Sequence, residues 1–283
     1  MLKKKEKSKI FLHSNNIFKC PICDKELLLK NNALKCINRH TFDIKRNGSL
    51  FLVNTSNYKE SKYYNKTLFS ARRIFIKNGY YNKIYKYITD YINKNCKNKL
   101  LILDLGCGEF SHTEEICKNL DGDIKVLGVD YSKSAIDFAT DYLNEKNIFV
   151  VSDITNLPLK SESIDIIINF LSPFNEKEIN RVLKKDGIFI KIIPTKKYLK
   201  ELRYIYKMKE YKREEDVLCN LKKKFKIEAE KDFTDCLEIK SIKDMKYLLG
   251  MTPLTWNEHN SNVTEIKKIS ISLKVLILKR RKV

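Results

Sequence analysis

Cys20, Cys23, Cys36 and His40 stand in the pattern C-x2-C-x12-C-x3-H. The turn Cys20-Pro21-Ile22-Cys23 can aim two sulfurs at one ion, and the three residues between Cys36 and His40 let that pair converge on it. Thiolate and imidazole ligands in a set of four are what Zn2+ takes in a closed tetrahedral site. A closed site leaves no position for an activated water, so the expected role is structural. The segment around it is too short to bury a core alone, and metal binding would supply folding free energy directly. Free buried cysteines beside an unrelated histidine are the plainer alternative, but four ligands at zinc spacing weigh against it.

A second group of residues points to a nucleotide-like cofactor. The apolar run Leu100–Leu103 leads into Asp104-Leu105-Gly106-Cys107-Gly108-Glu109, a strand end followed by two glycines one residue apart. Such glycines let the backbone turn sharply and approach a ligand. Asp104 can orient that turn or meet the cationic end of the cofactor. Farther on, Val126–Val129 ends in Asp130, where a carboxylate can accept both ribose hydroxyls. Asp153, after a third strand, can accept from an adenine amino group. The D-x-G-x-G form suits S-adenosylmethionine better than a pyrophosphate loop. An ordinary tight turn would explain the glycines alone, but not the glycines and Asp130 in register. Phe110 is discordant, because a third glycine is usual at its position.

The elements that must hold these residues follow from periodicity. Short β-branched runs at Leu100–Leu105, Val126–Asp130, Ile148–Ser152, Ile164–Phe170 and Gly187–Ile193 are expected strands. They alternate with helix-like segments at Thr113–Leu120, Ser134–Asn144 and Glu176–Lys184, the signature of a parallel sheet with crossover helices. A weak strand at Leu237–Ile239 and a strong one at Ile269–Leu278 suggest a late hairpin on that sheet. Ile84, Ile88 and Ile92 mark an amphipathic helix. Three regions result: a zinc-binding domain over 1–55, a helical connector over 56–98 and a cofactor-binding domain over 99–283.

Lys and Arg number 56 against 35 Asp and Glu, a formal net charge of +21. That excess attracts polyanions, nucleic acid first among them; a compositional bias toward Lys, spread along the whole chain, explains it equally well. No apolar run approaches a membrane span of about 20 residues, and Ile10-Phe11-Leu12 is too short for a signal-peptide core. Three of the eight cysteines lie at metal-ligand spacing and five are scattered, which fits a reducing cytoplasm.

Taken together, these motifs resemble the guanine-N1 methyltransferases of bacterial 23S ribosomal RNA. The likeness is carried by Phe18-Lys-Cys-Pro-Ile-Cys23, Cys36-x3-His40-x-Phe42-Asp43, Ala71-Arg72-Arg73-x-Phe75, Gly79-x-Tyr81, Leu103-Asp104-x-Gly106-Cys107-Gly108-Glu109 and Met251-Thr252-Pro253-x3-Asn257, in that order along one chain. The resemblance implies a class I, Rossmann-like α/β domain with a seven-stranded, mostly parallel sheet behind a small zinc domain that recognises RNA. It implies methyl transfer from S-adenosylmethionine to a guanine in a large-subunit stem-loop near the peptide exit tunnel. It further implies cofactor contacts from Tyr81, His112, Thr113 and Tyr198, although the family commonly has tyrosine at His112 and histidine at Tyr198.

Methylating guanine N1 requires alignment, removal of the N1 proton and a base presented outside a stack. No catalytic residue is assigned; Glu109 and Asp153 are candidate bases by location. Phe170 and Asn169 either line the base pocket or simply end a strand. Of Arg72 and Arg73, helical spacing lets one face RNA phosphate while the other is ion-paired or solvated. Trp256 is either a stacking platform or a packed core residue. A non-catalytic RNA-binding protein with a loop decayed at Phe110 and a small-molecule methyltransferase are the rival readings. A homodimer stays open.

Overall fold

A computed structural model describes residues 2–54, 58–60, 64–96, 99–208, 213–252 and 266–281. At its centre lies β5 (Lys99–Leu105), whose residues from Leu100 onward are buried on both faces. Continuous apolar runs of this kind form parallel strands covered on both sides. β6 (Asp123–Asp130) and β7 (Asn147–Val151) extend the sheet to one side of β5, and β8 (Ile164–Phe170) and β9 (Leu183–Pro194) to the other. All four pair in parallel. The strand order therefore reverses between β5 and β8, and a crevice opens beyond their carboxyl ends, where ligands bind in open α/β sheets.

The sheet has eight strands rather than the expected seven. The addition is β4 (Leu50–Phe51), which pairs in parallel with β7 through Leu50↔Val150 and Phe51↔Val151. Two residues are too few to carry a period, so only the partner strand reveals them. β10 (Phe225–Glu238) is far longer than the expected Leu237–Ile239. Its solvent-facing positions carry Lys226, Glu228, Glu230 and Asp232, which mask the strand pattern of an edge. β11 (Lys268–Arg280) runs antiparallel between β9 and β10. The late pair is thus adjacent and antiparallel, but α9 (Ile242–Met251) separates its strands in place of a tight turn.

Nine helices occur among the described residues. α1 (Lys4–Ser14), for which the basic start gave no signal, buries Phe11 and Leu12 and is tied down by Ser8 Oγ donating to the Gly48 carbonyl at 2.7 Å. α2 (Lys66–Lys77) is N-capped by Asn65, whose side chain accepts from the Leu68 amide. Its buried face carries Leu68, Phe69, Ala71, Phe75 and Ile76. A turn through Gly79 leads to α3 (Asn82–Asn95), which buries Ile84, Ile88 and Ile92 as their spacing requires. α4 (Ser111–Cys117), α5 (Lys133–Ala139) and α6 (Glu176–Val182) are the crossover helices, each shorter than its periodicity suggested. α7 (Lys200–Ile205) and α8 (Arg213–Lys224) follow β9. No helix among the described residues is long and apolar enough to cross a membrane.

β1 (Leu28–Lys30), β2 (Ala33–Lys35) and β3 (Thr41–Asp43) form a separate antiparallel sheet around the cysteine motif. Its apolar residues Ile17, Phe18, Leu27 and Leu34 join the same core as Leu103, Leu157 and Leu159. Lys19 donates its amide to the Pro158 carbonyl at 3.0 Å, and Lys160 donates to that of Ile17 at 2.8 Å. The ribbon is docked on the segment after β7 by backbone as well as side chains.

Candidate active site and metal centre

Beyond β5 the chain reverses within three residues. The amides of Gly106 and Cys107 both donate to the Val129 carbonyl, at 2.8 and 2.9 Å. Gly106 has φ +78, and a Cβ there would fall 1.9 Å from Ser172 Oγ. Only glycine meets both demands. The Gly108 amide donates to Asp130 Oδ2 at 2.8 Å, and Ser132 donates its amide to Oδ1 at the same distance. Asp130 therefore braces the loop from the end of β6.

Phe110 keeps the turn that glycine would make. Its φ is +76, in the left-handed region, and its ring is fully buried, 5.7 Å from that of Tyr142 and edge-on to Phe149 at 4.9 Å. A left-handed non-glycine residue costs roughly 1–2 kcal/mol, while burying a phenylalanine returns about 1.5–3 kcal/mol. Packing offsets the strain, and the loop conformation survives the missing glycine.

Three acids lie under or beside this turn. Burial pushes the Asp104 carboxyl up to about 7, with the charges of Asp130 and Glu109 adding to it. Burial also raises Asp130. Glu109 is 1% exposed; its Oε2 accepts from Ser111 Oγ at 2.6 Å and from Arg73 Nε at 3.3 Å. Arg73 additionally donates to Asp141 Oδ2 and the Phe138 carbonyl, both at 2.8 Å. Arg73 is thus the ion-paired arginine of the two. Asp153 follows β7 and closes a turn, its Oδ1 accepting from the Thr155 amide at 2.8 Å and hydroxyl at 2.7 Å.

An aromatic wall faces the loop. The hydroxyls of Tyr81 and Tyr198 are 3.3 Å apart, and the His112 ring stacks on Phe170 at 3.8 Å and 12°. Tyr81 packs edge-on against both rings. His112 Nδ1 lies 2.6 Å from the Tyr85 hydroxyl, and burial, reinforced by Arg72, pushes the imidazole well below its ordinary range. One hydrogen bond joins the Tyr85 hydroxyl to Nδ1, and the neutral imidazole keeps Nε2 for a second partner. Tyr85 escaped the sequence reading, although it sits one helical turn after Tyr81 on α3. The structure thus gathers Tyr81, His112 and Tyr198 and sets Thr113 against Asp104, while Asp153 closes its own turn after β7.

Asn169 is fully buried and its amide is spent. Nδ2 donates to the Leu105 carbonyl at 2.6 Å and to that of Pro173 at 3.1 Å, while Oδ1 accepts from Lys191 Nζ. Lys191 also donates to the Ser172 carbonyl at 2.8 Å, and burial lowers its ammonium to about 7. Asn169, its amide fully engaged, is committed to the structure, while Phe170 stacks on His112 in the aromatic wall. Lys191 was not foreseen, because a lysine inside a strand pattern reads as a solvated side chain. Trp256, Pro253 and Asn257 lie outside the described residues.

These residues fit the adenosyl cofactor that the loop implies. The turn presents glycine backbone toward the crevice, Asp130 is ribose-competent, and opposite charges flank the loop. Ser152 Oγ, beside Asp153, is buried without a hydrogen-bond partner among the described residues, and a buried polar group of that kind calls for one; the Thr113 hydroxyl faces the Asp104 carboxyl.

The ligand atoms of Cys20, Cys23, Cys36 and His40 all lie within 4.8 Å of one another. Cys23 Sγ is 3.8 Å from Cys36 Sγ, and His40 Nδ1 is 3.5 and 3.4 Å from the sulfurs of Cys20 and Cys36. Zinc bonds of roughly 2.3 Å to sulfur and 2.0 Å to nitrogen, at tetrahedral angles, require separations of about 3.8 and 3.5 Å. The set fits a closed structural zinc site with His40 bound through Nδ1.

Comparison with known proteins agrees with both halves. Residues 96–247 match a family described as a methyltransferase domain, and residues 18–62 match the RlmA N-terminal zinc ribbon. A Bacillus subtilis (strain 168) protein named "Putative 23S rRNA (guanine-N(1)-)-methyltransferase YxjB" is 30% identical over 278 residues, covering 93% of this chain and 96% of its own. The "23S rRNA (guanine(748)-N(1))-methyltransferase" of Streptomyces fradiae is 25% identical over 186 residues, 65% of each chain. Among solved structures, a "putative methyltransferase" from Bacillus halodurans C-125 shares the fold with a TM-score of 0.50 at 14% identity, covering 70% of this chain and 99% of its own.

Three outcomes are expected. Phe110→Ala should lose about 3–5 kcal/mol in denaturant unfolding, and Phe110→Gly should be the more stable of the two, reversing the usual order because only glycine takes the left-handed turn freely. Equal or inverted stabilities would show that the turn is unstrained. Removing zinc with a chelator should strip hydrogen-exchange protection from residues 17–44 before the β5–β9 sheet; unchanged protection after verified metal loss would refute the structural role. Asp104 should contribute stability to the apo chain that is lost as pH rises from about 4 through 7, because the folded carboxyl (about 7) keeps a proton that the unfolded one has already released, while buried, neutral His112 acts in the opposite sense. Asp104→Asn should remove that part of the slope.

Proposed function

The chain belongs to the family of 23S rRNA (guanine-N1)-methyltransferases that carry an N-terminal zinc ribbon, and we propose that it methylates N1 of a guanine in a stem-loop of 23S ribosomal RNA. The observation that carries this reading is the likeness to the Bacillus subtilis relative, which runs through ribbon and methyltransferase core alike. S-adenosylmethionine is the methyl donor and Zn2+ the structural metal.

In this reading Gly106 and Gly108 leave bare backbone against the cofactor. Asp130 takes the ribose hydroxyls, Asp153 the adenine amino group and Asp104 the methionine ammonium. Tyr81, His112, Thr113 and Tyr198 enclose the methionine end and exclude water. When bound, the cofactor supplies a methyl group already activated on a sulfonium, which guanine N1 takes by in-line displacement. The N1 proton must leave to a base. Of the two carboxylates considered, Glu109 is held through Oε2 by Arg73 and Ser111, and Asp153 through Oδ1 by Thr155, and neither is assigned as the base.

We assign residues 1–55 to RNA recognition around zinc, 56–98 to a helical connector and 99–283 to methyl transfer. None of the eight cysteines forms a disulfide, in keeping with work in a reducing cytoplasm. A decayed cofactor loop finds no support at Phe110, whose backbone keeps the turn. Mass spectrometry of 23S RNA from a deletion strain should show the loss of a single N1-methylguanine, restored by the wild-type gene. Identical RNA in the deleted and parental strains would sink the reading.

A further inference from the structure

Arg72 and Arg73 are neighbours on α2 with opposite fates. Arg73 makes three hydrogen bonds and is committed to Glu109 and Asp141. Arg72 is half-buried, and among the described residues its guanidinium has no hydrogen bond or ion pair, only the Phe69 ring 5.6 Å away. Its Nη1 lies 3.1 Å from the point where a Cβ on Gly108 would stand, so it touches the glycine loop on the side that glycine leaves open. Its charge is felt at Asp130, His112, Tyr81 and Tyr198, the residues that surround the crevice.

A partly desolvated guanidinium with five donors and no acceptor is poised for an anion. An RNA phosphate is one source, but phosphates stay on the outer rim of a groove, whereas Arg72 stands against the loop. The cofactor brings an anion to that place. Its amino-acid end is a zwitterion, and the walls offer matching groups: the buried Asp104 carboxyl, and the Arg72 guanidinium, which makes no ion pair or hydrogen bond among the described residues. The Arg72 charge reaches Asp130 and Glu109, but neither carboxylate bonds to it.

We propose that Arg72 binds the α-carboxylate of S-adenosylmethionine, making α2 part of the cofactor site instead of the RNA surface. This assignment rests on the cofactor reading above. α2 is anchored by Phe69, Phe75 and Ile76 inside and by the Arg73–Glu109 pair at the loop. That rigidity holds the guanidinium in place and limits the entropy lost on binding.

The test uses the full zinc-loaded chain and two ligands that differ by one group: S-adenosylmethionine and its decarboxylated form, which keeps the amine and the sulfonium. Calorimetry should show wild type preferring the carboxylate-bearing ligand by about ten- to hundredfold, the range for one charge-assisted contact. Arg72→Met should lose that preference by weakening S-adenosylmethionine alone, and Arg72→Lys should keep part of it, as a point charge without the planar fork. Equal affinity of wild type for both ligands would overturn the proposal without any variant. So would normal S-adenosylmethionine binding by Arg72→Met together with a salt slope for stem-loop RNA reduced by about one, the mark of a lost phosphate contact. If wild type bound neither ligand, the cofactor reading itself would fall; if it bound S-adenosylmethionine and only the Arg72 arms failed, that reading would stand.

Discussion

The Val129 carbonyl, accepting from both Gly106 and Cys107, is the contact on which the crevice depends. It forces the chain to reverse at the carboxyl end of β5, which brings Gly106 under Ser172 and lays the Gly108 amide on Asp130. Each contact closes one side of the same turn. The loop is therefore held by the ends of the two neighbouring strands, β6 and β8, and its shape does not rest on glycine content alone. Phe110 shows the consequence: a bulky residue can occupy a left-handed position because its ring has somewhere to go.

The loop is also the meeting point of two clamps. From below, Glu109 draws Arg73 and with it α2 against the sheet. From the other side, Lys191 fastens Asn169 and the Ser172 carbonyl, while Asn169 reaches the Leu105 carbonyl at the root of the loop. A buried lysine near its neutralisation point is costly. Here it joins the segment after β8 to the glycine loop after β5, and this polar tie keeps the relation between the two loops fixed.

The zinc ribbon meets the same body at the segment after β7, residues 157–160, just beyond Asp153. The metal organises a fold too small to sustain itself, but the ribbon does not stand alone. It shares apolar core with the main sheet, and two residues after it add a strand to β7. The ribbon is thereby fixed against the β4–β7 edge of the sheet.

The amino-acid sequence by itself determined what depends on neighbours a few residues apart. Cys20, Cys23, Cys36 and His40 converge because of their spacing, the parallel sheet follows from buried β-branched runs, and the D-x-G-x-G turn follows from strand and glycine chemistry. Tertiary structure decided every question in which the partner lies far along the chain. Arg73 finds Asp141, 68 residues away, and Asn169 finds Leu105, 64 residues away; these contacts separate Arg73 from Arg72 and remove Asn169 from base reading. The direction of the Phe110 ring, the Tyr85–His112 bond, the two-residue β4 and the length of β10 belong to the same class. Periodicity reports whether a side chain is buried, not which distant group meets it there. Free hydrogen-bonding capacity at the crevice is what remains after all such partners are counted, and only the folded chain performs that count.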